Sequence, residues 1–247
     1  MSRTSSSHAT DAGAELLATL DDAVVTQWLR YADLISRRGY VSSQLGNIAV
    51  RAPSPIDPVH GVIYTKHGGV SIEEATRENL VVTDVPAQRL LYGRRMPSIG
   101  HKMNVEIFRQ RPDVNAVVHL HVNEVLAYFT MTGQKSLSYI SSDTALIMGK
   151  PSHVLDPEIN VELDVSHLAS FIATTNAFVM PNHGLTTLGA DLSIAYNRMN
   201  AFVAEVRRLH GAVMLSAALE RPVPYLSSAE VDALYAASSA ILDGGVS

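Results

Sequence analysis

The spacing of apolar residues changes twice along this chain, and each change marks a different kind of element. Between Ala14 and Arg38, Leu16, Leu17, Leu20, Val24, Val25, Trp28, Leu29 and Leu34 fall mostly three or four positions apart. That period predicts an amphipathic helix. Gly39 after the basic Arg37 and Arg38 reads as its end. Short β-like runs follow at Asn47–Arg51, Gly61–Thr65, Leu80–Val85, Val114–His121 and Ala177–Met180. Further helices are predicted at Gly100–Arg109, Asn123–Phe129 and Val165–Thr175, then over the long apolar stripe Leu192–Leu219 and finally at Ser228–Leu242. Helices and strands are interspersed with no repeat and no Pro/Gly-rich linker, which predicts one α/β domain over residues 13–247 behind a loose polar tail at 1–12.

Composition narrows the chemistry. Hydrophobic residues make up 47% of the 247 positions, enough for a sizeable core. Lys plus Arg is 19 against 24 Asp plus Glu, and this mildly acidic balance argues against nucleic-acid binding. There is no cysteine, so thiolate metal sites, disulfides and cysteine nucleophiles are excluded together. No apolar run approaches the roughly 20 residues of a membrane span, and Met1–Ala9 lacks the apolar stretch of a secretion signal. A soluble cytoplasmic protein is expected.

Any metal site must therefore draw on histidine, carboxylate or amide groups. His119 and His121 lie two apart in a β-like run, which puts both imidazoles on one face of a sheet. Such a pair either chelates a divalent ion or is incidental to a partly exposed strand. His183 follows the run Ala177–Met180 in a turn (Pro181-Asn182-His183-Gly184), at a strand end where sites in α/β folds gather. Three histidines would leave an open fourth position, the arrangement of a catalytic site. His101 opens a predicted helix, and His67 lies in the glycine-rich loop Lys66-His67-Gly68-Gly69. His210, within the long helix, reads as structural.

Five segments together resemble the class II aldolase/adducin family. They are Gly39-Tyr40-Val41 leading to Gly46-Asn47-Ile48; Ile63-Tyr64-Thr65 with Gly68; Arg77–Asp84; Ile107-Phe108-Arg109 through Arg111-Pro112-Asp113 into Val117-Val118-His119-Leu120-His121; and Asn182-His183-Gly184 with Gly189. The resemblance implies a central, mostly antiparallel sheet flanked by helices in three layers. It also implies one divalent ion (Zn, Mn, Fe or Co) on His119, His121 and His183, and a homotetramer with active sites between subunits. Asn47, Thr65, Lys66, His67 and Ser98 align with its substrate-binding segments.

The chain departs from that family in ways that bear on its reaction. The position twelve residues before Pro112, where the family keeps a catalytic acid, is Gly100, so either its neighbour His101 takes over the acid/base task or the local backbone has shifted; His101 is the expected catalytic residue. The phosphate-binding pattern is weakened, because Leu45 and Ile99 stand where hydroxyl side chains would donate. Lys66, His67 and Arg94 or Arg95 remain as groups for an anion, and a carboxylate suits them as well as a phosphate. The three histidines are all retained, which favours an enzyme over an adducin-like interaction module. The expected function is a metal-dependent decarboxylase of a hydroxylated aromatic dicarboxylate such as a dihydroxyphthalate. The alternative is an aldolase or epimerase acting on an unphosphorylated or acidic sugar.

Overall fold

The computed structural model describes residues 20–86 and 88–242. The polar tail expected at 1–12 lies outside the described residues. Eight strands form one sheet: β1 (Asn47–Ser54), β2 (Asp57–Lys66), β3 (Leu80–Asp84), β4 (Leu90–Tyr92), β5 (Ala116–Leu120), β6 (Ser152–Val154), β7 (Ala177–Met180) and β8 (Gly184–Gly189), in the order β4-β3-β2-β1-β5-β8-β7-β6. Every neighbouring pair is antiparallel except β6 and β7. Among the described residues six α-helices flank it: α1 (Asp22–Arg37), α2 (His101–Gln110), α3 (Asn123–Thr132), α4 (Ser142–Met148), α5 (Leu192–Leu219) and α6 (Ser228–Leu242). The expected mostly antiparallel sheet flanked by helices is the architecture observed.

Alternation along the strands sorts side chains into two cores. On β5, Ala116, Val118 and Leu120 face the core filled by Trp28 and Ile35 of α1 and by Met199, Phe202 and Val206 of α5. Val117 faces the opposite core, built with Met103, Ile107 and Phe108 of α2. His119 shares the parity of Val117 and so stands on the α2 side. Trp28 adds a polar tie, its Nε1 donating to the Ile48 carbonyl at 3.2 Å.

Several elements differ from the sequence reading. Of the helix expected over Ala14–Arg38, residues 14–19 lie outside the described residues, residue 20 is not helical, and α1 begins at Asp22, where the Asp21 carboxylate accepts from the Ala23 and Val24 amides. The run Val165–Thr175 forms two short 3₁₀ turns, Val165–Ser170 and Ile172–Thr174, in place of one α-helix. They are tied to the sheet by Arg111, which is 5% exposed and donates to the Ile172 and Thr175 carbonyls at 2.8 and 2.7 Å while pairing with Asp113. Strands β4, β6 and β8 and helix α4 had no clear pattern in the sequence. No helix among the described residues is long and apolar enough to cross a membrane.

Candidate metal centre

Strand pairing builds the site. Asn47 of β1 lies opposite His119 of β5, which lies opposite Thr186 of β8. The three side chains form one polar row at the end of an otherwise apolar face. His183 joins it from the turn between β7 and β8, whose Met180–Gly184 pair closes the hairpin. His121 is the second residue past His119 and lies just beyond the end of β5. Two glycines permit the close approach. Gly46 has a φ of +82°, and a Cβ there would stand 2.9 Å from the His119 carbonyl. A Cβ on Gly184 would meet the His119 ring at 2.7 Å.

The three imidazoles converge. Their ring centroids are 4.4–5.2 Å apart. His119 Nε2 is 3.1 Å from His121 Nε2, and one donor atom from each of the three rings fits within 4.8 Å of the others. A tetrahedral ion with bonds of about 2.0–2.1 Å to nitrogen places its ligand atoms roughly 3.3 Å apart, which the His119–His121 pair matches, with the His183 donor within reach of both. His119 Nδ1 lies 2.9 Å from Thr186 Oγ1, an outer contact that orients the ring with Nε2 toward His121 and His183. Burial pushes His119 down to about 3 and His121 down to about 4. Both rings are therefore neutral at pH 7, the form that binds metal.

A carboxylate that the sequence reading missed completes the cluster. Glu162 is 8% exposed, with Oε2 2.7 Å from His183 Nε2 and Oε1 3.6 Å from His119 Nε2. Burial works to raise its pKa, but the His183 hydrogen bond and the neighbouring imidazoles outweigh that and hold it below the usual glutamate value. Nothing near Glu162 in the chain marks it. The signal lay instead at Gly100, where a glycine replaced an expected side chain.

The other expected site residues divide. Asn47 is buried, and its Oδ1 accepts from Asn104 Nδ2 of α2 at 2.7 Å. The Thr65 and Ser98 hydroxyls are buried without a protein partner, as are His101 Nδ1 and Asn104 Oδ1. Four of the five such atoms among the described residues thus lie on the end of β2 and the start of α2, where a bound ligand would satisfy them. Lys66 faces the other way. Its ammonium donates to the Gln44 and Val70 carbonyls at 3.0 and 2.8 Å, and burial lowers it to about 8. His67 Nδ1 is 2.6 Å from the Gly68 carbonyl oxygen. His101 is 5% exposed and its Nε2 is 2.9 Å from Thr83 Oγ1; no hydrogen bond or ring contact with the three histidines is seen among the described residues.

The family model for the class II aldolase and adducin N-terminal domain matches residues 27–207. The chain belongs to the class II aldolase/adducin family. Among its relatives, an L-fuculose phosphate aldolase of Methanococcus maripaludis is 25% identical over 173 residues, covering 70% of this chain and 88% of that one. A 3-oxo-tetronate 4-phosphate decarboxylase of Escherichia coli is 24% identical over 220 residues, covering 87% and 96%. The same class II aldolase architecture occurs in the crystal structure of YgbL of Escherichia coli, with a TM-score of 0.71 at 22% identity over 86% of this chain and 98% of that one. The family therefore includes both aldol-cleaving and decarboxylating relatives of this chain.

Proposed function

We propose that this protein is a metal-dependent lyase of a small hydroxylated carboxylate, and that the bond it breaks is the one to a departing carboxyl group. The observation that carries the reading is the convergence of three imidazoles beside buried polar atoms that lack protein partners. A divalent ion held by His119, His121 and His183 supplies polarisation of substrate oxygens and stabilisation of negative charge on the adjacent carbon. Thr186 holds the His119 ring in the orientation that presents Nε2. The free hydroxyls of Thr65 and Ser98 are placed to orient the substrate.

The inward turn of Lys66 supports a substrate without phosphate. Its ammonium is occupied by two carbonyls, so the loop offers hydroxyls where a phosphate dianion would call for a free cation. Leu45 and Ile99, 54% and 72% exposed, add apolar surface suited to a flat ring. A hydroxylated aromatic dicarboxylate such as a dihydroxyphthalate fits these features. His101 is the proposed proton source. Its unpartnered Nδ1 is the atom that serves the substrate; burial holds the ring down to about 4 in the free protein, so proton delivery at neutral pH requires the charge of a bound carboxylate substrate to raise it until the imidazolium forms and gives its proton to the carbanion.

A second reading, aldol cleavage of an unphosphorylated or acidic sugar, is favoured by one observation. The buried Glu162 carboxylate stands in the cluster where proton movement in an aldol reaction requires a base. Both readings separate in one assay. The protein loaded in turn with Zn2+, Mn2+ or Co2+ is given dihydroxyphthalates and sugar acids, and carbon dioxide and aldehyde are measured. Carbon dioxide from the aromatic acid is expected, aldehyde from a sugar acid would shift the assignment to the second reading, and a His119→Ala protein that turns over at the native rate would sink both.

A further inference from the structure

Gly100 sits at the mouth of α2 with φ −66° and ψ −1°, a conformation open to any residue. Backbone geometry therefore gives no reason for a glycine. Space does. A Cβ at position 100 would lie 2.0 Å from Glu162 Oε1, 2.6 Å from Asn47 Nδ2 and 3.0 Å from Glu162 Cδ, so the carboxylate is its nearest neighbour. The carboxylate of a residue distant in sequence occupies the volume that any side chain here would need.

The loop that carries Glu162 is built to hold it there. Asn160 Oδ1 accepts from the Glu162 amide at 2.9 Å, and the Asn160 carbonyl accepts from the Leu163 and Asp164 amides at 3.1 and 3.0 Å. Val161, fully buried in the α2-side core, anchors the turn. Glu162 itself reaches inward, and among the described residues its ion-pair partners are the imidazoles of His119 and His183, with no Lys or Arg. Lys66 acts on the same carboxylate electrostatically without forming an ion pair with it. Burying a carboxylate costs free energy. A divalent cation among these groups removes that cost.

We propose that Glu162 is the fourth protein ligand of the metal centre, a carboxylate delivered from the 160–164 turn into the space that glycine at position 100 leaves open. The inference rests on the three-histidine reading above and extends it. Its donors are one carboxylate oxygen and three imidazole nitrogens, a set that suits Zn2+, Co2+, Mn2+ or Fe2+. Gly100 contributes no donor; it acts by keeping the volume clear.

The test measures metal binding, independent of any substrate. Zn2+ affinity is measured by competition with a chelating dye, and Co2+ binding by its visible absorption, for the full chain and for Glu162→Gln and Gly100→Ala. Glu162→Gln is expected to weaken Zn2+ by at least about tenfold and to shift the Co2+ spectrum, since loss of even an outer-shell partner costs about 10–100-fold. Gly100→Ala removes no donor, yet it should weaken Zn2+ as well, because its methyl group displaces the carboxylate. If Glu162→Gln fails to fold, Glu162→Asp withdraws the carboxylate by one methylene and should weaken Zn2+ in the same direction. Native affinity and an unchanged Co2+ spectrum in a folded Glu162 variant would overturn the proposal, as would native affinity in Gly100→Ala. Failure of the unmodified protein to bind Zn2+ or Co2+ would instead overturn the three-histidine reading beneath it.

Discussion

Burial does two different things to the histidines of this chain. It keeps His119 and His121 neutral and available to a cation, and it makes His101 a liability in acid. His101 takes a proton near the ordinary 6.5 when unfolded, but burial lowers it to about 4 in the folded protein. Between those values the unfolded chain binds the extra proton and the folded chain does not, so acid favours unfolding. The contribution is intact above about pH 6.5 and is lost as pH falls from there toward 4. By linkage the effect at pH 5 is on the order of 2 kcal/mol. His101→Gln keeps a group able to bond Thr83 and removes the titration. Urea unfolding at pH 7.5 and pH 5 should show a smaller acid loss in His101→Gln than in the native protein; equal losses would mean that the ring titrates normally in the fold. The same variant should retain its metal but lose turnover by about 10²-fold if His101 delivers the proton.

At the scale of elements, α4 shows how one helix completes another. Its N-cap Ser141 makes no side-chain cap. The missing acceptor comes from Glu205 of α5, which is fully buried and accepts from the Ile140 and Ser141 amides at 2.5 and 3.0 Å and from the Thr144 hydroxyl at 3.1 Å. Arg208, one turn along α5, donates to the same carboxylate at 2.9 Å. The negative charge meets the positive end of α4, where it is most favourable. Glu205→Ala leaves two amides without this acceptor and should lower stability by about 3 kcal/mol, with Glu205→Gln losing less because its amide oxygen still accepts. Denaturant midpoints of the two variants check the order, and an alanine variant as stable as the native protein would show that α4 finds its acceptor elsewhere.

At the scale of the whole molecule, the outward face carries apolar residues that the other described residues leave exposed. Val213, Met214, Leu215 and Leu219 on the last turns of α5 are 45–64% exposed, and Met131 at the end of α3 is 84% exposed. A cluster of this kind on a folded chain is a candidate contact with another copy. It accords with the homotetramer that the family resemblance implies. Light scattering should therefore return about four times the chain mass of 26.7 kDa, and Leu215→Glu should shift the population toward smaller species. A native protein that is monomeric and fully active would remove shared active sites from consideration.

Local periodicity was enough to place much of this molecule. The helix over Leu192–Leu219 and the one over Ser228–Leu242 stand where their apolar stripes and end signals put them. The cores of β1, β2, β3, β5 and β7 follow runs of branched apolar residues, because each residue there reports its own burial. For His119, His121 and His183 spacing and turn left the metal reading open, and the family resemblance joined them into one expected site; their convergence is seen only in the fold. Elements held by distant partners were not legible in the sequence. The sequence Gly184–Gly189 becomes a strand because β5 and β7 pair with it on both sides. Helix α4 depends on a carboxylate that lies over sixty residues away. Lys66 turns inward because two carbonyls receive it there. The meeting of Glu162 with Gly100 belongs to the same class: the glycine could be read as an absence, but which side chain fills its space is decided by the path of the chain, since only folding brings the 160–164 turn to the mouth of α2.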